Sequence, residues 1–201
     1  MAGHTDALRI AEVLAARLCH DLAGPVGSLN QALELVAGDD EGLALARQAA
    51  AELARRVKLL RAAWTPDGPD LSLSQLRDLA PERLTLDLFG LPGGTIFQPP
   101  MARLVLNLIL LAQESLPAGG LVALYGTATD LVVTIAGPKA AWPSGLVLCL
   151  TDPDAALSAL TAPRTLQMPL TALLAQGLGL RLSLLIGAAK SGPPPLRLSI
   201  S

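Results

Sequence analysis

The run Leu18-Cys19-His20-Asp21-Leu22-Ala23-Gly24-Pro25-Val26-Gly27 decides how the chain is read, because it breaks the rules of the helix around it. Gly24, Pro25 and Gly27 stand inside an otherwise helical pattern, where glycine costs roughly 1 kcal/mol and proline about 3 kcal/mol relative to alanine. Local rules broken together mark a functional site. His20, one of two histidines in the chain, stands beside that break with Asp21 next to it. The other, His4, lies near the start of the chain, where ends fray, and is taken as an ordinary solvated side chain.

Around this run, Leu8, Ala11, Ala15, Leu18, Leu22, Pro25, Leu29, Ala32 and Val36 recur at alternating spacings of three and four. That is an a/d heptad seam of about thirty residues, on the order of 45 Å of helix. Gly38-Asp39-Asp40 then supplies a C-terminal glycine and a capping aspartate. A second helix carries Leu43, Ala46, Ala50, Leu53, Val57, Leu60 and Trp64 on one stripe and stops at Thr65-Pro66-Asp67-Gly68-Pro69. Two such helices joined by a tight turn make an antiparallel hairpin whose seams need cover. A second copy of the hairpin supplies it as a homodimeric four-helix bundle, and the C-terminal half of the same chain is the rival cover.

In this register His20 is an f position, the point farthest from the seam, and faces solvent. Its neighbours one turn away are Ala16, Arg17, Ala23, Gly24 and Gly27, a low-relief patch with one cation that another protein can approach closely.

Composition limits what the site can serve. The chain has 201 residues, is 51% hydrophobic and carries a formal charge of −2, enough to bury a core in one or two domains but with no basic field for nucleic acid. Aromatics make up 2%, leaving little for bases to stack on. Cys19 and Cys149 stand far apart with no second ligand at metal spacing, and are expected to be buried thiols of a reducing cytosol. The most apolar run, Leu104 to Ala112, is interrupted by Asn107 and too short to span a bilayer, so a soluble cytoplasmic protein is expected.

The second half alternates helices and strands. Ser72 or Ser74 caps a short helix through Leu79, Arg83–Leu88 alternates as a strand, and Gly90–Pro100 is a loop. Met101–Leu116 is an apolar helix, and Gly119-Gly120 leads into a hairpin of Leu121–Tyr125 and Leu131–Ala136. A strand at Leu146–Leu150, helices at Pro153–Leu160 and Leu166–Gln176, and strands at Leu180–Ile186 and Leu196–Ile200 complete an α/β sandwich with one sheet face covered. The fold class is therefore α+β, with a helical hairpin over residues 1–66 and a sandwich over 70–201.

His20-Asp21-x-x-x-Pro25 resembles the H-box of the dimerisation and phosphotransfer domain of two-component histidine kinases. Arg17 through Leu22, Pro25-Val26-Gly27 and Leu33-Glu34-Leu35 more closely resemble the ChpT family of histidine phosphotransferases. The second half resembles the ATP-binding (Bergerat) domain of histidine kinases, with Asn107-Leu108-Ile109 through Pro117-x-Gly119-Gly120 following the N-box outline. Its nucleotide chemistry is missing. Leu111 stands where a magnesium-binding asparagine is expected, Glu114 where a lysine is expected, and Ala136-Gly137-Pro138-Lys139-Ala140 replaces a D-x-G-x-G loop. Leucine offers no oxygen to Mg²⁺, and Asn107 alone is taken to cap or pack locally.

The resemblance implies a phosphorelay histidine phosphotransferase. His20 would accept a phosphoryl group from the receiver domain of a hybrid histidine kinase and pass it to the receiver of a response regulator, of the cell-cycle type, without ATP and with Mg²⁺ supplied by the receiver. Imidazole in general titrates near ~6.5, so at neutral pH it is mostly the unprotonated nucleophile. Asp21 would orient the ring or take its proton, and Arg17 would offset the phosphoryl charge. Gly24 stands where kinases carry the threonine or asparagine that supports dephosphorylation, so the resemblance does not carry that activity over. An ATP-dependent sensor kinase fragment and a non-catalytic dimeric scaffold are the alternative functions.

Overall fold

The computed structural model describes residues 2–36, 40–187 and 192–200. Helix α1 (Ala2–Leu35) and helix α2 (Asp40–Trp64) pack against each other as an antiparallel hairpin, with Pro25 held inside α1. α1 begins at Ala2, ahead of the first seam residue, Leu8. Gly38 and Asp39, read as the turn between the helices, lie outside the described residues, as does the side chain of Asp40.

The seam is real but only partly covered within one chain. Ala32 and Ala46 are buried between the helices, with Leu22, Leu29, Val36 and Leu53 half-buried. Leu8, Leu18, Leu43 and Val57 remain 62%, 37%, 37% and 44% exposed. The C-terminal half covers a different flank of the hairpin: Leu59, Leu60 and Ala63 of α2 join its core. In α1 the half-buried Ile10 and Leu14 and the buried Arg17 share the inward-facing stripe. The C-terminal half thus takes one flank of the hairpin, and the stripe through Leu8, Leu18 and Val57 stays bare.

The C-terminal half is a five-stranded sheet in the order β2 (Leu84–Gly90), β4 (Gly120–Gly126), β5 (Asp130–Ala136), β7 (Leu196–Ile200), β6 (Leu180–Leu184). β2 and β4 run parallel and the other neighbours antiparallel. Short strands β1 (Leu71–Ser72) and β3 (Ile96–Phe97) pair separately, the latter inside the stretch expected to be all loop. Ser72 caps α3 (Leu73–Leu79) through a reciprocal bond with Gln75. Helix α4 (Pro99–Ser115) buries Leu104, Leu108 and Leu111 in the core shared with Val122, Leu124, Leu131 and Val133 of the sheet. Opposite, Leu121 and Tyr125 are 37% and 43% exposed, so one sheet face is covered and the other open. At the α4–β4 turn Gly119 has φ +76°, and a Cβ there would meet the carbonyl oxygen of Arg83 at 2.7 Å.

The strand expected at Leu146–Leu150 does not form. The run lies in a helix, α5 (Leu146–Thr151), followed directly by α6 (Pro153–Ala159) and, after a 3-10 turn at Pro163–Thr165, by α7 (Gln167–Gly177). Leu146 and Cys149 are buried while Val147 and Leu148 are exposed, the three-residue spacing of a helix face rather than strand alternation. A short apolar run is ambiguous by periodicity alone. Asp152 then starts α6 by accepting from the backbone N–H groups of Asp154 and Ala155.

Candidate functional site

His20 stands on the exposed side of α1 with its side chain 51% accessible, whereas the adjacent Asp21 is 6% accessible. One helix therefore presents the imidazole to solvent and turns the carboxylate inward. Asp21 Oδ1 lies 3.4 Å from His20 Nδ1. Its Oδ2 accepts from Arg17 Nε at 2.8 Å and from Arg56 Nη2 at 2.8 Å. Burial alone would push the Asp21 carboxyl up, but it is outweighed by the hydrogen bonds and charges of Arg17 and Arg56, which hold the group below the usual carboxylate range.

Arg17 is not the exposed cation expected beside the histidine. Its side chain is 8% accessible, because on α1 it falls on the stripe that faces the C-terminal half, and there it donates from Nη1 to the Pro163 carbonyl at 2.9 Å. Nη1 also forms an ion pair with Glu114 Oε1 at 2.6 Å. That oxygen accepts no aligned hydrogen bond, so the contact only partly offsets the burial that pushes the Glu114 carboxyl above its ordinary range. Arg56 mirrors Arg17: its Nη2 holds Asp21 while its Nη1 donates to Gln113 Oε1 at 2.5 Å.

The remaining patch is as expected in relief. Ala16, Ala23 and Gly24 are exposed and Gly27 is half-buried. A Cβ added at Gly24 or Gly27 would meet nothing within 4 Å, so neither glycine is required by packing inside the chain. Cys19, expected to be buried, is exposed on the same helix, while Cys149 is buried and its thiol is pushed up by that burial.

Beside His20 a cleft of about 410 Å³ opens between the hairpin and the sheet layer, lined by Asp21, Arg55, Arg56, Arg83 and Gln113 among others. Arg55 pairs with Glu82 at 2.5 Å, whereas Arg83 makes no ion pair among the described residues and donates only a long 3.5 Å bond to the Gln113 carbonyl. Arg56 and Arg83 were not singled out in the sequence. Arg56 sits in an Arg55-Arg56 pair on α2, and only the hairpin pairing brings it opposite Asp21; nothing local in the sequence marks it.

The residues that resemble a nucleotide site lie elsewhere and face inward. Asn107 is 0% exposed: its amide nitrogen donates to the carbonyls of Ala63 at 2.8 Å and Arg103 at 2.9 Å, and its Oδ1 accepts from Gln167 at 3.0 Å. Leu111 is 0% exposed in the core, and Ala136 ends β5 before the Gly137–Ala140 loop. Among the described residues no group of His, Cys, Asp or Glu is arranged to hold a metal ion, and no helix is long and apolar enough to cross a membrane.

The chain is 22% identical to a solved bacterial phosphotransferase, covering 96% of this chain and 95% of that one with a TM-score of 0.71, a likeness of fold. It is 29% identical over 151 residues to the protein phosphotransferase ChpT of Brucella abortus (strain 2308), spanning 66% of this chain and 69% of that protein. The family model described as histidine phosphotransferase C-terminal domain matches residues 75–190, a span that starts after His20 and takes in α4, the sheet hairpin and α5 to α7. The match extends over more than half of the sequence, and the chain therefore belongs to the histidine phosphotransferase family, as a relative of the ChpT type.

Proposed function

We propose that His20 is the phosphoryl carrier of a phosphorelay, accepting from the aspartyl phosphate of a hybrid kinase's receiver domain and donating to the aspartate of a response regulator's receiver. The observation that carries this reading is the pairing of a half-exposed imidazole with a buried carboxylate that two arginines hold in place. An ionised Asp21 facing Nδ1 selects the tautomer with the proton on Nδ1, which leaves the lone pair on Nε2. The 3.4 Å separation is long for a hydrogen bond, as is common for catalytic contacts before a partner docks.

In the forward step Nε2 attacks phosphorus, the bond from phosphorus to the donor carboxylate oxygen breaks, and the carboxylate leaves as an anion. The ring becomes cationic as the N–P bond forms, and Asp21 stabilises that charge through Nδ1–H. The second transfer is the same step reversed, with the acceptor's carboxylate oxygen as nucleophile. Such transfers rest on in-line positioning and charge neutralisation, with little covalent help from the protein. Arg83 and Arg55, which line the cleft beside His20, are the cations placed to face a phosphoryl group, while Arg17 and Arg56 hold Asp21. Mg²⁺ comes with the receiver in this scheme.

ATP has no part in it. The one oxygen of the Asn107 side chain is buried and accepts from Gln167, and Leu111 offers only hydrocarbon, so these residues do not fit a magnesium–nucleotide site. The bare stripe of Leu8, Leu18 and Val57 supports a homodimeric four-helix bundle, and Ala16, Ala23, Gly24 and Gly27 support close approach by a receiver. The test is to mix the protein with a phosphorylated receiver. Label is expected to move to the wild-type chain and on to a second receiver, and not with His20→Ala. Labelling by ATP alone would mean a kinase, and relay flux unchanged by His20→Ala would mean a scaffold.

A further inference from the structure

The two arginines that grip Asp21 each have a second hold, and both second holds lie on the last turn of α4. Arg17 joins Asp21 to Glu114, at 2.8 Å and 2.6 Å, and Arg56 joins Asp21 to Gln113, at 2.8 Å and 2.5 Å. The orientation of Asp21 is therefore set against α4 as well as within its own hairpin. Helix α4 is tied to the hairpin a second time, where Asn107 and Arg103 both donate to the carbonyl of Ala63 near the end of α2, at 2.8 Å and 3.4 Å. A buried ionic cluster is a poor way to gain stability, because desolvation takes back much of the attraction and an apolar set of the same volume is often as stable. What such a cluster does supply is fixed direction: the planar fork of Arg56 satisfies Asp21 and Gln113 together only in one geometry, and the charge of Glu114 draws the end of Arg17 toward α4.

We infer that Gln113 and Glu114 are positioning residues for the phosphotransfer histidine, acting through Arg56 and Arg17 on Asp21 and hence on which imidazole nitrogen of His20 carries the proton. On this account the sheet layer takes part in the chemistry: a shift of α4 against the hairpin changes the nucleophile itself. The inference rests on the reading of His20 as the phosphoryl carrier, and its test is built so that the two fail separately.

The experiment is ¹⁵N NMR of the His20 imidazole in the full chain, alongside transfer from a phosphorylated receiver. Wild type is expected to show mainly the Nδ1–H form. Glu114→Ala and Gln113→Ala are expected to shift the ring toward the ordinary mixture of tautomers and to slow transfer on the order of tenfold. Glu114→Gln keeps an oxygen in place for Arg17 and is expected to restore both readouts. Because Glu114→Ala leaves Arg17 short of a partner and risks misfolding, the paired variant Arg17→Leu/Glu114→Leu removes both charges together. It takes away one of the two partners of Asp21 and is expected to melt below wild type, still folded with Arg56 on Asp21, and to lose the Nδ1–H form. A wild-type imidazole spectrum and wild-type transfer in the Ala variants and in the Leu pair would overturn the inference. Phosphate accepted by His20→Ala would overturn the reading of His20, whatever the tautomer data show.

Discussion

Replacing Asp21 with alanine tests the construction of the site through stability before any chemistry is measured. Arg17 and Arg56 have side chains 8% and 15% accessible, and both direct a nitrogen at Asp21 Oδ2 from 2.8 Å. Removing one partner of a buried ion pair costs about 3–5 kcal/mol. Here Arg17 keeps Glu114 and the Pro163 carbonyl, and Arg56 keeps Gln113, so the lower end, about 3 kcal/mol, applies. In a chain of this size about 1 kcal/mol moves the melting temperature by roughly 2–4 °C, which gives a drop of roughly 6–12 °C. Circular-dichroism melts read this directly, with urea titration as the free-energy check. Asp130→Ala is the control: Asp130 and Arg197 form an ion pair at 2.6 Å but are 46% and 48% accessible, and little change is expected. A drop in Asp21→Ala below about 2 °C, or no larger than in the control, would refute the claim that Asp21 is the buried node of the site.

Other outcomes follow from the same geometry. Because Asp21 titrates lower in the folded chain than in the unfolded one, its contribution is complete above the unfolded value near ~3.9 and disappears as pH falls through the folded value. The melting-temperature gap between wild type and Asp21→Asn is therefore expected to shrink on acidification below about pH 4, and a constant gap would contradict the ion pairs. Glu114 has the opposite sign: its carboxyl is raised, so ionising it costs stability as pH rises above the unfolded value near ~4.3. Glu114→Gln is expected to melt no lower than wild type at pH 7. Gly24→Ala and Gly27→Ala place a methyl where nothing lies within 4 Å, and each is expected to stabilise α1 by about 0.5–1 kcal/mol. In the relay assay both are expected to slow transfer by roughening the approach to His20; faster or unchanged transfer would remove the patch from the docking surface. Leu18→Glu with Val57→Glu, on the bare stripe, is expected to leave a folded monomer by light scattering, whereas an unchanged mass would mean that the stripe is not the dimer contact.

The fold was legible where periodicity is long or turn chemistry is specific. A nine-position heptad seam identified α1, and Ser72 with Gln75 identified the start of α3. The reading failed at Leu146–Leu150, where five apolar residues satisfy helix and strand alike and no capping side chain marks the start of the run. The candidate site was readable at His20 and Asp21, whose side chains lie 3.4 Å apart, because the broken helix rules and the H-box pattern are local. Arg17 was misplaced for a physical reason: the heptad describes one buried stripe, and α1 has a second, which packs on the Pro163–Thr165 turn and on Glu114 of α4. The same omission hid Arg56, Gln113 and Arg83, which reach the site only through long-range packing. Asn107 was read as a local packing residue, and it does bond to Arg103 one turn back, but its contacts with Ala63 and Gln167 were invisible to sequence spacing.

The most direct test of the account is to find which atom carries the phosphate. After transfer from a phosphorylated receiver, mass spectrometry of the acid-labile product and ³¹P NMR are expected to place a single phosphoryl group on Nε2 of His20. Phosphate on any other residue, or on Nδ1 of His20 against Asp21, would contradict it.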